Sequence, residues 1–323
     1  MYSLILISLF VMPLNDGSTA PAIIVAIGAP GTPEYEEQFL DWSKRWQDAT
    51  ATAKAEFICI GDNAATDQTT ETDLDQLKNS IERHAGNSAS PLWLILIGHG
   101  TFDGQTAKFN LRGPDLSADE LAAWLAPMKR PVVVINCASA SAPFLNKLSA
   151  ADRIVITATR SGNEQNFTRF GDFLSAAIVN PDADIDKDDQ VSLLEAYLKA
   201  CRQVAEFYDH QSRLATEHAL LDDNGDGLGT PAEWFRGVRA IQGAKDGGAV
   251  DGARAHQMHL VASAREADMP PEIRDRRNQL ELELAKLRAE KSTLAEEEHF
   301  ARLERLLVEL AKLYERAIAA KSD

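Results

Sequence analysis

Leu92-Trp93-Leu94-Ile95-Leu96-Ile97-Gly98-His99-Gly100 and, further along, Pro131-Val132-Val133-Val134-Ile135-Asn136-Cys137 are two apolar runs, each leading into a reactive side chain. A strand with one wet face alternates apolar and polar residues. A run without that alternation belongs to a strand covered on both faces, as in a parallel sheet between helices. Ala22 to Ile27 (AIIVAI), Phe57 to Ile60 (FICI) and Arg153 to Ile156 (RIVI) read the same way. Helical patterns separate them. Phe39, Trp42 and Trp46 share one face of residues 33–48, and Leu74, Leu77 and Ile81 recur at helical intervals in 71–84. Strands alternating with amphipathic helices predict an α/β sandwich with a mostly parallel sheet over residues 22–181.

The 323 residues are 45% hydrophobic and 25% charged, enough for that core plus appendages and unlike a disordered or collagenous chain. With 49 acidic residues against 33 Lys plus Arg, the net charge of −16 offers no basic footprint for nucleic acid. Three cysteines make no disulfide framework. Residues 4–12 (LILISLFVM) are too short to span a bilayer, which takes about 20 residues. Followed by Ser18-Thr19-Ala20-Pro21-Ala22, they fit a signal peptide over 1–21, and so a periplasmic or extracellular protein; a stray first strand in a cytoplasmic protein is the alternative. The start Met1-Tyr2-Ser3 departs from that pattern in carrying no Lys or Arg. No later segment reads as a membrane span.

Residues 182–242 read as a helical extension with two acidic loops. Asp184, Asp186, Asp188, Gln190, Ser192 and Glu195 stand at the first, third, fifth, seventh, ninth and twelfth places of a calcium loop of the EF-hand type. Asp222, Asn224, Asp226, Leu228, Thr230 and Glu233 repeat the spacing. Alternate side chains of such a loop point inward, the seventh residue offers its carbonyl, and the distant Glu closes the shell. The second loop has Gly227 at the sharp sixth position, where the first has Asp189, so the second fits better. Calcium is the expected ion, in a structural role, and a pair of acidic helix-capping turns is the plainer alternative. The Gly/Ala-rich stretch Gly243 to Gly252 opens a linker over 243–268. From 269 to 320, Ile273, Leu280, Leu287 and Leu294 recur every seven residues, and Leu303, Leu306, Leu310, Leu313 and Ala317 continue in a shifted frame. Two helices folded back near Ser292 suit this pattern, as does one long intermolecular coiled coil. Either offers a surface for a partner or for self-association.

In a doubly wound sheet, ligands bind beyond the carboxyl ends of the strands. Adjacent parallel strands would bring His99 and Cys137 to one rim. There a thiolate can attack a carbonyl while the imidazole handles the protons, and the N–H groups of Gly100 and Cys137 can hold the oxyanion. A cysteine at a strand end is also often a small buried hydrophobe, and His-Gly often marks a turn. Gly28-Ala29-Pro30-Gly31 lacks the spacing of a dinucleotide site, and His210, His218, His256 and His259 show no metal-ligand spacing with cysteines.

Taken in order, these pieces resemble the caspase-like cysteine peptidases, and most closely the legumain family. The resemblance covers roughly residues 22–180. It includes Gly28-x-x-Gly31-x-x-x-Tyr35-x-x-Gln38, the segment GHGTFDG from Gly98, NCASAS from Asn136, ITATRSGNE from Ile156, and Phe170-Gly171-Asp172-Phe173. It implies a caspase-like α/β/α sandwich and a peptidase acting on peptide or protein substrates. Cys137 would be the nucleophile and His99 the acid/base, with no cofactor for catalysis and Asp172 on the floor of the specificity pocket. The departures are Glu36 where legumains place an Arg, Ile135 where they place an acidic residue, and Asn136, Ala138 and Ala140 around the cysteine. With Glu36, Asp172 and Glu164 near the pocket, a basic P1 side chain is the expected preference. A non-catalytic, calcium-binding scaffold that presents the C-terminal hairpin is the competing reading.

Overall fold

Seven strands lie in the order β10-β9-β8-β7-β3-β1-β2, and the five that come first in the chain run parallel. The computed structural model describes residues 21–62, 71–243, 250–290 and 294–319. The apolar run at residues 4–12 and the turn near Ser292 lie outside them. Strand β1 (Ala22–Ile27) leads through α1 (Pro33–Ala53) to β2 (Glu56–Ile60), and α2 (Asp73–Arg83) returns the chain to β3 (Leu92–Ile97) on the other side of β1. The order reverses there, so the carboxyl ends of β1 and β3 form a topological switch point. A small antiparallel sheet follows: β4 (Gly100–Phe102), β5 (Ala107–Phe109) and β6 (Leu116–Ser117). Then come α3 (Ala118–Leu125), β7 (Val132–Asn136), α4 (Ala142–Leu148) and β8 (Arg153–Thr157).

Alternation along the strands sorts the core into two layers. Ile23, Val25 and Ile27 pack with Phe39, Trp42 and Trp46 of α1 and with α5 (Phe170–Ala177) and α6 (Leu193–His210). Ala22, Ile24 and Ala26 pack on the opposite face with Leu77, Ile81, Leu121, Leu125 and Phe144 of α2, α3 and α4. This is an α/β/α sandwich. Thr72 and Ser117 start α2 and α3 as capping boxes, each satisfying orphan helix donors at the surface.

The segment after Pro181, expected to be a separate helical extension, instead completes the sandwich. Helix α6 lies in the α1/α5 layer, and β9 (Leu220–Asp222) pairs antiparallel with β8 before β10 (Thr230–Pro231) closes the edge. The stretch expected to be a linker is also partly packed. Asp251 is buried, Gly252 lies against Phe235, and α7 (Ala253–Gln257) and α8 (Ala264–Ala267) follow. A Gly-rich composition does not distinguish a loose tether from a segment that needs close backbone approach. Finally α9 (Pro271–Ala289) and α10 (Glu296–Ala319) pack on each other within the chain through Ile273, Leu280, Leu287, Leu306, Leu310 and Leu313. Arg277, paired with Glu266, and Gln257, bonded to Asn278 and Glu281, tie this hairpin to α7 and α8. No helix among the described residues is long and apolar enough to cross a membrane.

Candidate functional site

His99 and Cys137 follow neighbouring parallel strands, and both project into the layer that holds α1 and α5. The imidazole sits at the switch point. Its Nε2 donates to the Pro30 carbonyl at 3.2 Å, and its ring is boxed by Tyr35, Phe39 and Phe167 at centroid distances of 4.8, 5.4 and 5.9 Å. Cys137 is 1% exposed. Burial, followed by the charge of Glu217, pushes its thiol up to about 12. No hydrogen bond joins the two side chains among the described residues.

The loop between β8 and α5 closes over this pair. Phe167 packs on His99 and Trp42, the Thr168 hydroxyl donates to the Cys137 carbonyl, and Gly171 lies against the Cys137 side chain. The Glu164 carbonyl accepts from the Ala140 N–H at 2.7 Å, and its carboxylate accepts from His218 Nδ1 at 2.6 Å. Glu217, buried and unsuspected from the sequence, accepts from the N–H groups of Arg169 and Phe170 at 2.9–3.0 Å and so caps α5 from another part of the chain. Desolvation raises its pKa despite these bonds. Nothing in the local pattern of Ala215-Thr216-Glu217-His218 marks it out.

Two expectations for the site need correction. The expected oxyanion donors are already used: Cys137 N–H donates to Leu96 O at 2.9 Å because the cysteine still follows the strand register, and Gly100 N–H donates to Ser139 Oγ at 3.2 Å. The three acidic residues expected to read a basic side chain do not make a free negative pocket, since each has its own cation or histidine. Asp172 binds Arg45 at 2.7 Å, Glu36 pairs with Arg112 at 3.4 Å, and Glu164 holds His218.

The acidic loops differ from each other in the structure. In the first, Asp184, Asp186 and Asp188 bring carboxylate oxygens within 4.8 Å of one another. The backbone turns through Lys187 and Asp189 at φ of 63° and 68°, so Asp189 adopts the left-handed conformation a glycine would. Glu195 lies beneath, its carboxylate accepting from Ile185 N–H at 2.7 Å and from Ser192, whose own side chain starts α6. Gln190 reaches Asp188 with its amide, and His256 reaches Asp186 at 2.9 Å. Carboxylate oxygens are the hard donors that calcium takes, and Asp184, Asp186 and Asp188 are the three that come together here among the described residues. The second loop is a β-hairpin turn between β9 and β10. Asp222 accepts from Gly225 and Gly227, Asn224 from Asp226, and Asp226 from Leu228, while Glu233 is exposed beyond β10. The two loops are therefore not flanked as a pair of helix–loop–helix units.

No family model matches the sequence, and no curated protein matches it. Solved structures similar to it include the Drosophila initiator caspase Dronc, at 13% identity and a TM-score of 0.42, over 65% of this chain and 83% of that one. Caspase-1 from Spodoptera frugiperda is similar at 11% identity and 0.39, over 65% and 88%. Protein GSU0716 from Geobacter sulfurreducens is similar at 13% and 0.37, over 57% and 89%.

Proposed function

We propose that this chain is a caspase-like cysteine peptidase held in a closed state, with Cys137 as nucleophile and His99 as acid/base. The observation that supports this reading is the placement of both side chains beyond neighbouring parallel strands and on one face, with His99 at the switch point and Cys137 one strand away. When the β8–α5 loop withdraws, the sulfur gains access to water and its pKa falls toward the ordinary thiol range. The thiolate then attacks a peptide carbonyl to give a tetrahedral adduct, His99 protonates the departing amine, and water hydrolyses the thioester. Calcium at Asp184, Asp186, Asp188, Gln190 and Glu195 belongs to the same proposal. It would brace the start of α6, which packs on α5 and so on the closing loop.

A second reading is a non-catalytic scaffold with the same sheet. The buried thiol and the occupied N–H groups of Gly100 and Cys137 favour it. An acyloxymethyl ketone probe, read by mass spectrometry with calcium and with a chelator, separates the two. The peptidase reading expects labelling of Cys137 that is lost in His99→Ala, and thermal stabilisation by calcium that is lost in Asp184→Ala. Labelling equal in wild type and His99→Ala, or absent under both conditions and after limited proteolysis, overturns the peptidase. An unchanged thermal midpoint in calcium removes the ion.

A further inference from the structure

The loop that closes over Cys137 places one aromatic ring inside a frame of others. Residues 164–169 form neither helix nor strand, and Phe167 stands among them, half-buried. Its ring lies 4.6 Å from Tyr35, 5.9 Å from His99, 6.0 Å from Trp42 and 6.3 Å from Phe39, centroid to centroid. The walls and the plug differ in how they are held. Tyr35, Phe39 and Trp42 belong to α1, which packs on β1, β2 and β3, and His99 follows β3. Phe167 alone comes from the irregular segment. Without it these elements leave a slot one ring wide, reached from solvent past the half-buried Tyr35 and His99. The slot adjoins the reactive sulfur. Thr168, next to Phe167, donates to the Cys137 carbonyl, and a Cβ at Gly171 would stand 2.8 Å from both Cys137 Cβ and the Trp42 ring. A carbonyl within reach of that sulfur therefore carries its own residue's side chain to the slot.

We propose that this slot is the P1 site and takes an aromatic side chain, Phe or Tyr, whose place Phe167 holds in the closed state. The inference rests on the peptidase reading above and adds the substrate class to it. Flat aromatic walls favour a ring, since ring pairs gain stabilisation beyond the area they bury. Charge points the same way. A basic side chain would find no unoccupied carboxylate, because Asp172, Glu36 and Glu164 hold Arg45, Arg112 and His218. It would also meet the guanidinium of Arg169, which lies 5.9 Å from the Phe167 centroid and 4.1 Å from that of Phe207. An acidic side chain would add to the charge of Glu217, which already bears on Cys137. A neutral ring avoids both conflicts.

Phe167→Ala in the full chain empties the slot, and binding is read first in a Cys137→Ala background, where turnover plays no part. N-acetyl-phenylalaninamide at about 10 mM is expected to raise the thermal midpoint of Phe167→Ala/Cys137→Ala by about 2–4 °C. The arginine and aspartic acid counterparts should leave it unchanged, as should the phenylalanine compound on Cys137→Ala alone, whose slot is full. Adding Tyr35→Ala removes the response. Fluorogenic peptides differing only at P1 then read turnover in Phe167→Ala with Cys137 intact. Cleavage after Phe or Tyr is expected to be about tenfold faster than after Arg, Asn or Asp. If Phe167→Ala does not fold, Phe167→Leu keeps a smaller apolar plug and carries the same comparison. Turnover with another P1 preference, or binding indifferent to the ring, overturns the aromatic site and leaves the peptidase standing. Aromatic binding without turnover of any peptide overturns the peptidase, and the P1 role with it.

Discussion

Gly171 shows how tightly the reactive cysteine is enclosed. A Cβ placed there would stand 2.8 Å from Cys137 Cβ and 2.8 Å from the Trp42 ring, neither of them the free end of a flexible chain. Alanine is worth about 1 kcal/mol over glycine within a helix, but overpacking a filled core costs about 1–3 kcal/mol. Gly171→Ala is therefore expected to lower the urea midpoint despite its better helix propensity; a raised midpoint would show that α5 shifts freely. The positions of His99 and Cys137 were legible because each follows one of the most apolar runs in the chain. The enclosure of Cys137 was not. It arises from Phe167, Thr168 and Gly171, distant in sequence and without periodic pattern.

Among the elements, α5 depends on a borrowed cap. Arg169 supplies no side-chain cap, and the carboxylate of Glu217 takes the free N–H groups of Arg169 and Phe170 while accepting from the Tyr208 hydroxyl. Glu217→Ala leaves these donors without an acceptor inside the fold and is expected to cost about 2 kcal/mol in urea unfolding. Thiol labelling of Cys137 should quicken in the same variant, because the helix start that covers it is loosened; an unchanged labelling rate would uncouple the cap from the enclosure. The five parallel strands and the helices between them were legible as apolar runs and helical periods. The strands β4 to β6, β9 and β10 were not, because two or three residues are too few to show alternation. Acidic loop spacing likewise concealed that Asp222 ends a strand, with its neighbours forming a hairpin turn.

The whole molecule carries an internal response to alkali. Asp223 and Asp251 are 3 and 4% exposed and placed where the hairpin turn meets the segment before α7. Burial comes first and the neighbouring Asp223 second in raising Asp251, to about 8, and burial raises Asp223 as well. A carboxyl group raised in the folded state stabilises the fold while it is protonated, and that contribution is lost as pH rises from about 4 through 8. Glu217 acts with the same sign, whereas His259, lowered by burial, acts oppositely below its ordinary range. From pH 7 to 8.5, above most of the histidine titration, the thermal midpoint is expected to fall by a few degrees. Asp251→Asn should flatten that slope; an equal slope in the variant would rule the pair out as its source. The Gly-rich composition before Asp251 hid this contact in the sequence. The late antiparallel strand has a further consequence during synthesis. Strand β8 leaves the ribosome with its outer edge bare, and its partner β9 follows about 60 residues later. At a usual pace of about 5–20 residues per second, the nascent sheet waits several seconds with an unpaired border. Over that interval a neighbouring nascent chain can add to the edge, so production of this protein is most vulnerable to aggregation before its last sheet strands have emerged.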